Sequence, residues 1–153
     1  MTRSVLRAGL VLSALAVLGS GCSRADATLR PDALLRDSLG LGDDDRVHRV
    51  GLGSADNRET VQPPQVTVRP GDYVEFVTQD RRVHALAFEL ESLAPAAAEF
   101  LIGPGQQSSP PLVESGTRFV VSFAAAPPGT YPYVVRGNGA EGQGAVVVAE
   151  DDR

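Results

Sequence analysis

The chain has 153 residues, 42% of them hydrophobic, which is the length of one domain with enough apolar content for a packed core. Fourteen basic against nineteen acidic residues give a net charge of −5, and this excludes the basic footprint of a nucleic-acid-binding protein. The basic residues are all arginine, and a single cysteine leaves no intramolecular disulfide to stabilise the fold.

The N-terminus reads as a targeting segment. Arg3 and Arg7 precede an apolar stretch from Ala8 to Leu18, and Gly19-Ser20-Gly21 run directly into Cys22. This resembles a bacterial lipoprotein signal, although Leu18 stands one place further from the cysteine than in the commonest form. The resemblance implies a signal peptide over residues 1–21, lipid attachment at Cys22, and a place in the bacterial cell envelope with the membrane as partner. The apolar stretch is too short for a membrane-spanning helix, which needs roughly 20 residues. Cleavage would remove Arg3 and Arg7 but no acid, making the mature chain still more acidic.

Residues 22–45 read as a tether with one short helix. Pro31 to Leu41 supplies the helix: Pro31 suits its first turn, Asp32 favours the positive end of its dipole, and Gly40 stops it. Leu34, Leu35 and Leu39 are expected on one face, packing on the domain or spacing it from the membrane. Gly42-Asp43-Asp44-Asp45 is a turn that lacks the continuation of a calcium loop. From residue 46 to 150 the pattern is β. Strands are expected at Val47–Leu52, Gln65–Val68, Tyr73–Thr78, Val83–Leu90 and Thr117–Phe123. A brief helical excursion falls at Ala94–Ile102, and a Gly-, Ser- and Pro-rich loop at Gly103–Pro111. A final pair runs from Gly129 through Val135 and from Gly144 to Val148. Tyr131, Tyr133 and Val135 alternate in the first of these, and Gly137-Asn138-Gly139 turns the chain between them.

Two stretches carry a family resemblance. Val66-Thr67-Val68-Arg69-Pro70-Gly71-Asp72-Tyr73-Val74-Glu75-Phe76, followed by His84-Ala85-Leu86-Ala87-Phe88, is similar to the cupredoxin pattern Val-x-Val-x-x-Gly-Asp-x-Val-x-Phe … His-x-Val-x-Phe. Gly129-Thr130-Tyr131-Pro132-Tyr133 and the closing Gly144–Val148 resemble the end of the same domain, the plastocyanin and azurin type. The resemblance covers roughly residues 46–149. It implies an all-β, Greek-key antiparallel β-sandwich of cupredoxin type, with a short N-terminal helix and a short helical excursion between strands. It also implies a copper cofactor and electron transfer, held by two histidines, a cysteine and an axial ligand.

Here the sequence departs from the family. His84 matches the first histidine, but Val135 stands at the cysteine position and Asn138 at the second histidine. Counting on from Val135 puts Gln143 at the axial position, whereas counting back from Gly144 puts Gly142 there. Val135 cannot ligate a metal and Asn138 offers only an amide, so no type 1 copper centre is expected. In that reading His84 is a partly buried residue bonded to backbone. A weak two-histidine site would need His48 at the same end of the sandwich as His84. The motifs of the common catalytic and phosphate-binding sites are missing, so the chain is not read as an enzyme. Arg81, Arg82 and Arg136 lie on two loops that the family brings to one end, a basic patch that could dock an acidic partner or anion, with an envelope protein as the possible partner, unless Asp80 and Glu141 pair with them. The expected function is a non-catalytic binding or structural module; the alternative is copper binding or electron transfer through a degenerate site that uses His84.

Overall fold

A computed structural model describes residues 29–150, so the expected signal segment and the expected lipid attachment at Cys22 lie outside the described residues. The elements are helix α1 (Ala33–Leu39), strands β1 (Val47–Ala55), β2 (Arg58–Gln62), β3 (Gln65–Val68), β4 (Tyr73–Thr78) and β5 (Ala85–Phe88), a 3-10 turn (Leu90–Ser92), helix α2 (Pro95–Ile102), and strands β6 (Arg118–Ser122), β7 (Gly129–Arg136) and β8 (Gly142–Val148). Two four-stranded sheets, ordered β2-β1-β4-β6 and β3-β8-β7-β5, face each other. The sandwich is of cupredoxin type, but its sheets are mixed: β1 pairs with β4 and β3 with β8 in parallel.

Alternation builds the core. Val50, Leu52, Val74, Phe76, Val121 and Phe123 point inward from one sheet, and Val66, Val68, Leu86, Phe88, Tyr131, Tyr133, Val135, Val146 and Val148 from the other. Tyr133 meets Phe76 and Phe88 edge-on at 5.1 and 5.8 Å. The buried Tyr131 donates its hydroxyl to the Pro127 carbonyl at 2.7 Å, fixing the turn into β7.

Strand β2 is an element the sequence reading lacks. Asp56 and Asn57 hold φ of 50° and 58°, the left-handed pair of a two-residue hairpin, and Ala55 faces Arg58 across it. The helix also differs in detail. Asp32 is its N-cap, accepting from the Leu35 amide at 3.0 Å, so Pro31 lies before it. Of the three leucines expected on one face, only Leu35 is buried; Leu34 and Leu39 are exposed. Leu35 and Leu41 instead pack with Val47, Tyr73 and Val120 on the outer face of the β1–β4–β6 sheet. The helix is thus docked on the domain. Beside it, the buried Glu75 meets Arg49 at 2.7 Å and Arg118 at 2.8 Å, and Arg118 reaches Asp32 at 2.6 Å.

Candidate functional site

The β1–β2 hairpin, the β4–β5 loop and the glycine-rich β7–β8 loop meet at one end of the sandwich, around His84. His84 shares its side of the chain with the inward-facing Leu86 and Phe88, and its own side chain is fully buried. The residue exchanges backbone hydrogen bonds with Leu112 at 2.9 and 2.8 Å. Its ring, expected to bond to backbone, lies between two carboxylates instead. Nδ1 is 2.5 Å from Glu59 Oε2 and Nε2 is 2.7 Å from Asp80 Oδ1. Ser54 ties the two acids together: its hydroxyl donates to Glu59 at 3.1 Å and its amide to Asp80 at 2.9 Å. Asp80 accepts further from the Arg82 amide at 2.8 Å.

Each nitrogen–oxygen contact needs one hydrogen, so Glu59, His84 and Asp80 share two. The cluster is either an imidazolium between two carboxylates or a neutral imidazole beside one protonated carboxyl. Partial burial alone would raise the Asp80 carboxyl, but the bonds from His84 and from the Arg82 and Ser54 amides outweigh it and hold the group below its ordinary range.

Glycine makes room for this arrangement. A Cβ on Gly137 would collide with the Glu59 carboxylate and the Val83 carbonyl, and one on Gly142 would press on the Glu59 backbone. The loop therefore lies flat against β2, with the Glu59 amide bonded to the Ala140 carbonyl at 2.9 Å. The sequence reading missed Glu59 because it missed β2; Asp56-Asn57 between two extended runs was the available signal.

The other copper-ligand positions do not converge on His84. Val135 is buried among the core residues and has no donor atom. Asn138 is exposed on the loop. Gln143 is paired with Val134, which puts it on the sheet face opposite Val135. His48 belongs to the other end of the sandwich, where Nε2 contacts Asp72 at 2.8 Å. Ser54 lies six positions further along β1, about 20 Å of extended chain away. Among the described residues, no group of three or more His, Cys, Asp or Glu is arranged to hold a metal ion. Glu59 and Asp80 sit on opposite ring nitrogens of His84 and so do not face a common point. The donor set does not fit the copper centre that the fold carries elsewhere.

The three arginines singled out in the sequence do lie at this end. Arg136 pairs with Glu141 at 2.6 Å, while Asp80, the other expected partner, is engaged by His84. Arg58, which also contacts the Glu141 carbonyl at 3.4 Å, joins them.

No family model matches the sequence, and no curated protein does. Among solved structures the chain is similar to oxidised plastocyanin from Dryopteris crassirhizoma, with 23% identity and a TM-score of 0.51 over 66% of this chain and 99% of that one. Lower similarities reach a purple cupredoxin from Nitrosopumilus maritimus (17% identity, TM-score 0.44, 67% and 99% covered) and a copper-containing nitrite reductase from Thermus scotoductus (20%, 0.47, 73% and 24%). The domain is cupredoxin-like in fold.

Proposed function

We propose that this protein is an exported bacterial envelope lipoprotein, anchored through Cys22, whose cupredoxin-like domain lacks a type 1 copper centre. It serves as a non-catalytic binding module, presenting the His84 end to a protein partner. One observation carries the loss of copper: both His84 nitrogens are engaged by the carboxylates of Glu59 and Asp80, with Val135 filling the thiolate position. A metal entering here would have to displace a proton and break a buried hydrogen bond, with no thiolate to compensate. The lipoprotein part rests on the Leu18–Cys22 pattern.

Titration of metal-free protein with Cu(II) and Cu(I) tests the copper reading. The expected result is no tight binding and no intense visible charge-transfer band. Tight uptake by the wild type that disappears in His84→Ala would establish the degenerate copper site instead. For the anchor, intact mass after expression in a bacterial host should show cleavage before Cys22 and added lipid. An unmodified Cys22 overturns that part.

A further inference from the structure

We propose that the His84 end docks an acidic segment of a protein partner, with Val83 and Val113 at the centre of the contact and Arg58, Arg81, Arg82 and Arg136 around it. This rests on the reading that this end binds a partner, and it names the chemistry of that partner.

The apolar centre follows from strand geometry. His84 and Leu112 face each other as a mutually hydrogen-bonded antiparallel pair, and both side chains are buried. The preceding and following residues, Val83 and Val113, are therefore opposite neighbours turned outward together. They are 40% and 51% exposed, two of the five large hydrophobics so exposed among the described residues.

Arginines surround this pair. Arg81 and Arg82 immediately precede Val83, and Arg136 faces Ala85 across the β5–β7 ladder. The Val83 carbonyl lies against Gly137, and Arg58 bridges to Ala140 in the same loop. The described residues carry ten arginines and sixteen acids, yet four of those arginines gather here. The exposed carboxylates at this end are Asp56, Glu114 and Glu141, of which Glu141 is bonded to Arg136. The side chains of Arg81 and Arg82 have no partner among the described residues.

The buried cluster gives this surface its rigidity. Asp80 holds the amides of Ser54 and Arg82 and the ring of His84, so the loop carrying Arg81, Arg82 and Val83 is fixed before a partner arrives. Less ordering remains to be done on binding. An apolar centre with an arginine rim has the composition of a protein interface, and the charge sign selects carboxylates.

The test uses the mature chain, treated with chelator, and a fluorescein-labelled decapeptide of alternating Glu and Leu. A Lys–Leu counterpart and vesicles of anionic phospholipid are run beside it. The acidic peptide should bind, and binding should weaken at least about tenfold in Arg81→Glu/Arg82→Glu and fall as salt is raised. Val83→Ser/Val113→Ser should weaken it severalfold and leave the salt dependence unchanged. All four substitutions are at exposed positions, and thermal unfolding of each variant should match the wild type. Equal binding of both peptides, indifference to the arginine reversal, or binding to vesicles without binding to the acidic peptide overturns the proposal. Copper uptake dependent on His84 would overturn the metal-free reading and leave the peptide result standing.

Discussion

At the scale of single residues, His84 decides the character of the domain. It is a fully buried ring whose two nitrogens both face carboxylates, and removing it leaves the buried Glu59 carboxylate with the Ser54 hydroxyl alone as a side-chain partner. His84→Ala should cost about 3–5 kcal/mol, read as a lower urea midpoint, because breaking one member of a buried ionic cluster leaves the others uncompensated. Asp80 makes the acid limb of stability specific. Its carboxyl is held below the ordinary value of 3.8, so it stabilises the fold fully above that value. The contribution is lost as pH falls through the lower folded value. Unfolding midpoints measured from pH 7 down to about pH 2 should fall less steeply in Asp80→Asn than in the wild type below about pH 4. Val135→Cys offers a further check: it should not create a blue-copper absorption, because His84 remains engaged on both sides and Asn138 stays exposed.

At the scale of elements, the glycine-rich loop and the N-terminal helix were legible to different degrees. Glycines at 137, 139, 142 and 144 announced a tight turn between strands, and that turn exists. What they approach was not legible, since Glu59 lies about eighty residues away in sequence and close approach is a tertiary fact. Gly137→Ala should therefore destabilise by more than the usual exposed-loop substitution, because its methyl would meet a buried carboxylate and a carbonyl with no room to move. A urea midpoint equal to wild type would contradict that packing. The helix was placed by Pro31, Asp32 and Gly40, but the leucine that is buried depends on where the helix docks. Leu35 is covered by Tyr73 and Val120, whereas Leu34 and Leu39 face outward. Leu35→Ala should cost about 2–4 kcal/mol and Leu34→Ala less than about 0.5 kcal/mol in the same assay. The Asp32 carboxyl is held low by the Leu35 amide and then by Arg118, so this docking should also loosen in acid.

At the scale of the whole molecule, the strands other than β2 were readable because alternation and turn residues survive without any knowledge of partners. Tyr131, Tyr133 and Val135 were placed by period, and all three are buried. Parallel pairing of β1 with β4 and of β3 with β8 was not readable, because direction is set by long connections rather than by the strands themselves. The site divides in the same way. The absence of a thiolate at position 135 is a property of one letter, while of the carboxylates that engage His84, Asp80 lies four residues before it and Glu59 comes from a strand twenty-five residues away.

One feature bears on how the molecule is presented. Leu29 accepts from the Val47 amide at the start of β1, and Ala149 donates to Val68 beside the cleft that His48, Asp72 and Glu150 line. Both ends of the described chain therefore depart from the same pole, and the nine residues of β1, about 30 Å of strand, lead from there toward the arginines. The arginine surface therefore lies at the pole opposite both ends of the described chain.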